Sequence, residues 1–200
     1  FDGVDDYVDI GTGPTVVNTV SFWVYPQTTT EYFINLTGTT DYIWADAGTI
    51  TATGVASPTI YVDGVVSSTL AAGRWQYVVV TSATSENASN LDIGRTQDTN
   101  YLEGRMDDVH LYNRALSEKE VRQLYRLGES KFNTSPTTKL TQGLVGYWTF
   151  DGKDTNWTSA TAGTTADKSG YGNTGTLTSM AQSTTPAVGK IGQALNFDGV

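Results

Sequence analysis

The 200-residue sequence predicts an all-β fold: a two-sheet antiparallel jelly-roll sandwich with one short C-terminal helix at about 117–127. Three observations point there. Short segments alternate apolar and polar residues with a period of two, which is the signature of a half-buried strand. Gly, Pro, Asn and Asp separate those segments, as turns require. Thr and Ser make up about a quarter of the residues, and 5 Trp, 11 Tyr and 6 Phe accompany them. Thr suits a pleated surface, and the aromatics supply enough apolar area to offset the entropy of ordering.

The elements follow in order. Residues 19–25 (TVSFWVY) form a strand stopped by Pro26, and 32–36 a short one. Residues 59–62 and 65–70 flank Asp63-Gly64, a two-residue hairpin signal, because Gly accepts the positive φ such turns need. Residues 75–82, 91–94 and 104–112 read as further strands. Ser117 and Glu120 form a capping box, Val121, Leu124 and Tyr125 share a helical face, and Gly128 ends the helix. In the last third, 143–150 (GLVGYWTF) alternates cleanly. Residues 196–200, continued by 5–10, read as one strand. The stretch 37–57 carries little strand signal. Alternation predicts a core of Leu144, Trp148, Phe150, Phe197, Val20, Phe22, Val24, Val109 and Leu111.

Composition narrows the partners. A net charge of −9 argues against nucleic acid and against anionic lipid, both of which want clustered Lys and Arg. It leaves cations, neutral polymers and other proteins. The absence of Cys excludes disulfides and thiolate metal sites. No stretch approaches the ~20 apolar residues of a membrane span.

The two ends carry the same tetrapeptide. Phe1-Asp2-Gly3-Val4 recurs as Phe197-Asp198-Gly199-Val200, an offset of 196 positions. This reads as a repeat, with 1–128 the C-terminal part of one unit, 129–142 (ESKFNTSPTTKLTQ) a linker, and 143–200 the opening strands of the next. Residues 143–200 can fold back onto their own 1–128, as in a circular permutant, or complete a neighbouring copy. The duplicated tetrapeptide favours the second.

Taken in the order 143–200 and then 5–128, the segments GLVGYWTFDG, DKSGYGNTGTL, GKIGQALNFDGV, DDYVDI, TVSFWVYP, IYVDGV, LDIG and GRMDDVHLYNRALSEKEVRQLY resemble the laminin-G-like, concanavalin A-like jelly roll. The resemblance implies two curved antiparallel sheets and a secreted or cell-surface setting, often with an adhesive or sugar-binding role. It also implies a structural metal where the first and last strands meet. Ca²⁺ wants several hard oxygen ligands, and Asp107, Asp151 and Asp167 are the candidates. By strand parity Asp107 shares a face with Val109 and Leu111. The alternative is that Asp167 and Asn173 cap turns and that Asp107 accepts backbone hydrogen bonds.

A sugar site would need aromatic platforms beside polar groups. Trp44, Trp157, Tyr42, Tyr101 and Tyr171 lie in loops or short segments, and Trp44, Trp157 and Tyr171 are the candidates. Trp23, Trp75 and Trp148 fit strand patterns and read as core. Catalysis is not expected: His110 is the only histidine, it lies mid-strand, and the two Glu flanking an Asp of the related glucanases do not occur. Asn35, Asn87, Asn133 and Asn156 stand in N-x-[ST] sequons. The expectation is an extracellular structural or adhesive repeat whose partners are adjacent copies of itself. The alternatives are a carbohydrate-binding module or a non-catalytic accessory domain of a larger secreted enzyme.

Overall fold

The computed structural model describes residues 3–97, 99–129, 142–178, 180, 182–183 and 186–196. Two eight-stranded antiparallel sheets face each other. The first, here the open sheet, runs in the order Thr155–Trp157, Gly163–Thr165, Gly175–Thr178, Tyr7–Gly11, Leu91–Ile93, Glu31–Asn35, Tyr42–Asp46, Thr49–Thr53. The second, the helix-bearing sheet, runs Pro186–Val188, Gln193–Asn196, Gly104–Tyr112, Val17–Pro26, Gln76–Glu86, Thr59–Val62, Val65–Val66. Its eighth strand, Leu144–Trp148, also pairs with Gly104–Tyr112. A two-stranded hairpin, Arg95–Thr96 with Asn100–Tyr101, stands apart from both.

Val17–Pro26 shows why the sandwich forms. Val20, Phe22 and Val24 point between the sheets and are buried, as alternation predicts. Trp23 points the other way and is also buried, because the helix covers that face. So there are two apolar layers. The main one holds Val8, Phe22, Phe33, Ile43, Val109, Leu111, Trp148 and Phe150 between the sheets. The smaller one holds Trp23, Tyr61, Tyr77, Tyr112 and Val121 beneath the helix.

The helix, Glu118–Glu129, begins as predicted. The Glu120 carboxylate accepts hydrogen bonds from the Ser117 backbone N–H (2.9 Å) and hydroxyl (2.7 Å), closing the capping box. Two expectations need correction. The helix lies mid-chain rather than at the C-terminus, because the strands of residues 144–196 follow it. Gly128 sits inside the last turn, where a Cβ would lie 2.5 Å from the Trp23 ring. Close packing, not chain reversal, demands glycine there.

Other strand readings also change. Residues 37–57 contain two strands, Tyr42–Asp46 and Thr49–Thr53, joined by Ala47 and Gly48, both with positive φ (45° and 81°). The inward residues of the second, Ile50 and Ala52, include a small Ala that weakens the apolar signal. Of the expected strand over 196–200 and 5–10, residues 197–200 lie outside the described residues, and the flanking strands belong to different sheets: Gln193–Asn196 beside Gly104–Tyr112, and Tyr7–Gly11 beside Leu91–Ile93. Leu144 is only half-buried and packs on the helix side, because a register shift lets Val145 take the inward place. Phe197 lies outside the described residues.

Within this one chain, residues 144–196 complete the sheets begun by residues 7–112. Trp148 is opposite Val109, Leu177 opposite Val8, and Leu195 opposite Met106. Gly146 makes room for this, since a Cβ there would lie 2.8 Å from the Trp148 ring.

Candidate functional site

The three carboxylates proposed for calcium do not meet at one point. Gly104–Tyr112 has one edge shared by two short strands, Gln193–Asn196 at residues 105–106 and Leu144–Trp148 at residues 109–112. Between them lies a bulge at Asp107 and Asp108, where Asp108 adopts φ 55°. The bulge breaks the parity assumed from sequence. Asp107 stands opposite Trp23, on the outer face of the helix-bearing sheet, and not beside Val109. There it is fully buried by the turn that joins Pro186–Val188 to Gln193–Asn196. One carboxylate oxygen accepts the N–H groups of Lys190 (2.9 Å) and Ile191 (3.1 Å). Asp151 clasps the same turn from outside, accepting from the Gln193 N–H at 2.8 Å. Gly189 and Gly192 allow this approach, as a Cβ at either would lie within 2.5 Å of one of the two carboxylates.

Asp167 does different work. It accepts from the N–H groups of Tyr147, Ser169 and Asn173 at 2.8–3.0 Å, and so shapes the loop before Gly175–Thr178. Among the described residues, no group of three or more His, Asp and Glu is placed to hold a metal ion. Burial is the main force on Asp107 and raises its pKa to about 8. The Ile191 and Lys190 N–H groups pull it down, while Asp108 and Asp151 push it up.

The outer face of the open sheet has a different character, since no helix among the described residues covers it. Across it runs one registered row of polar side chains, a neighbour on every strand: Asn156, Thr164, Thr176, Asp9, Asp92, Asn35, Tyr42 and Thr53. The hairpin Arg95–Thr96/Asn100–Tyr101 reaches over its centre. Arg95 holds the buried Asp92 carboxylate at 2.9 Å and lies 3.7 Å above the Tyr7 ring. Gln97 donates to the Tyr42 hydroxyl at 2.8 Å. Burial raises the Asp92 pKa, opposed chiefly by the hydrogen bonds from Arg95 and Asn35.

Beside the hairpin, Tyr32 and Trp44 sit opposite each other on neighbouring strands, both partly exposed. Their rings are stacked, 6° from parallel with centroids 6.1 Å apart, and form one apolar pair. Hydroxyl groups border it. Trp44 Nε1 donates to the Thr53 hydroxyl at 3.0 Å, and exposed Thr51 stands opposite Trp44. Trp44 was legible as a candidate in the sequence; Tyr32 was not, because only the register sets it against Trp44.

The other predicted aromatics fall elsewhere. Trp157 packs partly against the main core. Tyr171, 67% exposed, lines an open recess of about 330 Å³ with Pro14, Asn113 and Asn173. His110 stacks on Tyr147 at 4.2 Å, and its Nδ1 lies 2.8 Å from the Asp108 carbonyl oxygen. Of the sequon residues, Asn87 and Asn156 are exposed. Asn35 is fully buried and donates to Asp92 and to the Asn90 carbonyl, so a glycan there has no path to solvent in the folded chain. Asn133 lies outside the described residues.

No protein-family model and no curated protein matches the chain. Among solved structures it is similar to one described as "a putative carbohydrate binding protein" from Bacteroides ovatus, with a TM-score of 0.52 and 12% identity. The match covers 88% of this chain and 56% of that one, so this chain spans little more than half its length. At that identity the likeness is one of fold: an all-β, two-sheet antiparallel sandwich.

Proposed function

We propose that this chain is a non-catalytic carbohydrate-binding module, and that its sugar site is the stacked Tyr32–Trp44 pair. The observation that carries the reading is the near-parallel ring pair, partly exposed on a sheet face that no helix covers among the described residues. A pyranose ring has an apolar face of C–H groups and an equatorial rim of hydroxyls. The aromatic pair receives the first, and Thr51, Thr53 and the nearby Tyr42–Gln97 pair can bond the second. The net charge of −9 selects for neutral rather than anionic glycans. The fold-level likeness to a protein described as carbohydrate binding supports the reading. On this reading the module works at the cell surface or outside the cell, where glycan polymers are met.

A glycan array followed by calorimetry on the best neutral ligand tests this. Trp44→Ala and Tyr32→Ala should each weaken binding at least about thirtyfold, as for an aromatic hot spot worth about 2 kcal/mol or more. Tyr171→Ala should leave it unchanged. Loss with Tyr171→Ala alone would move the site to the recess beside Asn113. No binding to any neutral glycan would end the reading.

A further inference from the structure

A second concave feature lies on the outer face of the helix-bearing sheet, away from the Tyr32–Trp44 pair. Between the helix Glu118–Glu129 and the strand Leu144–Trp148 is a recess of about 300 Å³. Asp108, His110 and Tyr112, alternate residues of Gly104–Tyr112, line it, and Tyr147 does so from the neighbouring strand. Trp23 and Tyr77 lie deeper in the same wall. The rings are ordered against one another. His110 stacks on Tyr147 at 4.2 Å and on Tyr112 at 6.1 Å, and Trp23 packs on Tyr77 at 5.1 Å. Leu124 and Leu127 from the helix, with Leu144 and Ile191, complete the lining. Leu127 and Ile191 are 36% and 41% exposed, so apolar surface is left open to solvent around an aromatic recess.

A carboxylate stands among these rings. Asp108 adopts φ 55°, a left-handed conformation uncommon for a residue other than glycine, and the bulge there re-aims its side chain. The Tyr147 side chain is hydrogen-bonded to it. Burial first, and then the Asp108 charge, raise the pKa of both Tyr147 and Tyr112, so these rings stay neutral in a negative field. Lys168 also lines the recess, but its ammonium pairs with Asp154 at 3.0 Å. The Lys190 ammonium lies 4.9 Å from the centre of the Trp23 ring, so this aromatic layer already accepts one cation. Ring faces and a carboxylate together attract positive charge. We infer that the recess binds a quaternary ammonium group, with Asp108 as its counter-ion and the Tyr147–His110 stack as its aromatic contact. The aliphatic lining selects the methylated form. A primary ammonium would press N–H groups against Leu124, Leu127 and Leu144, whose side chains offer no acceptor. N-methyl groups pack there instead. The net charge of −9 favours the approach of such a cation. The site is separate from the sugar site, and either can fail without the other.

Calorimetric titration with choline tests this, with a neutral alcohol of the same shape, carbon replacing nitrogen, as the control. Choline should bind saturably, and the alcohol at least about tenfold more weakly, because ring and carboxylate attraction both need the charge. No saturable binding of choline would overturn the proposal. So would equal binding of the two compounds, which would leave only an apolar recess. Asp108→Asn keeps the side-chain shape and suits the left-handed backbone, since Asn is enriched there. It should preserve the melting curve and weaken choline binding at least about tenfold. An unchanged affinity would refute the counter-ion. Tyr147→Leu should weaken binding by a similar factor, whereas Trp44→Ala, which strips the sugar site, should leave it as it was. Vesicles of phosphatidylcholine separate the two sources of such a group. Sedimentation with vesicles that choline reverses would assign a lipid headgroup, and choline binding without vesicle binding would assign a free soluble compound.

Discussion

Asp107 shows how far a residue's role depends on its surroundings. Its carboxylate holds a turn by two backbone N–H groups, yet burial keeps its folded pKa near 8, far above the usual 3.8. The folded state therefore binds more protons than the unfolded state between about pH 4 and 8. Stability from this group is greatest at low pH and falls as pH rises through that window. Asp107→Asn keeps the accepting oxygen and removes the charge. Urea melts between pH 4 and 8 should then lose this downward slope, and an unchanged slope would show that another group sets it. Trp148 is the second residue-scale case. It is fully buried, and its indole N–H donates to the Asn173 carbonyl at 2.8 Å. Trp148→Ala should cost about 3–5 kcal/mol in chemical denaturation. A loss below about 1 kcal/mol would mean that residues 144–148 contribute little to the folded chain.

At the scale of elements, the helix shows local and tertiary forces acting together. Ser117 and Glu120 start it, while Arg114 anchors Glu120 by an ion pair of 2.9 Å. The Arg114 hydrogen bond, followed by those from Ser117, lowers the Glu120 pKa to about 2. This contribution is complete above the unfolded value of 4.5 and disappears as pH falls toward 2. The Glu120 side chain is partly exposed, so salt should weaken the effect. Ser117→Ala should cost about 1 kcal/mol, the usual value for a lost N-cap. It should also expose Trp23 to quenchers if the helix lifts from the sheet. An unchanged melting curve would show that packing of Val121 on the Trp23–Tyr77 layer suffices alone. The strands tell the same story. Val17–Pro26 and Gly104–Tyr112 were legible because long alternation survives a bulge. Thr155–Trp157, Gly163–Thr165 and Tyr42–Asp46 were less so, because they are short and owe their pairing to distant partners.

For the whole molecule, sequence alone determined the class: alternation, hairpin signals and an aromatic-rich, Cys-free composition leave an all-β sandwich with one amphipathic helix. These are local properties, carried by neighbours in the chain. Sequence also marked Trp44 and the offset of 196, since both are visible as letters. Tertiary structure decided the rest. It split the stretch around the duplicated tetrapeptide between two sheets and turned Asp107 out of the core through a bulge at Asp108. It set Tyr32 beside Trp44 and lined a polar row from eight separate strands. Each of those depends on register between segments far apart in the chain. A one-residue shift in register moves every side chain of a strand to the other face, and no local pattern of residues records that choice.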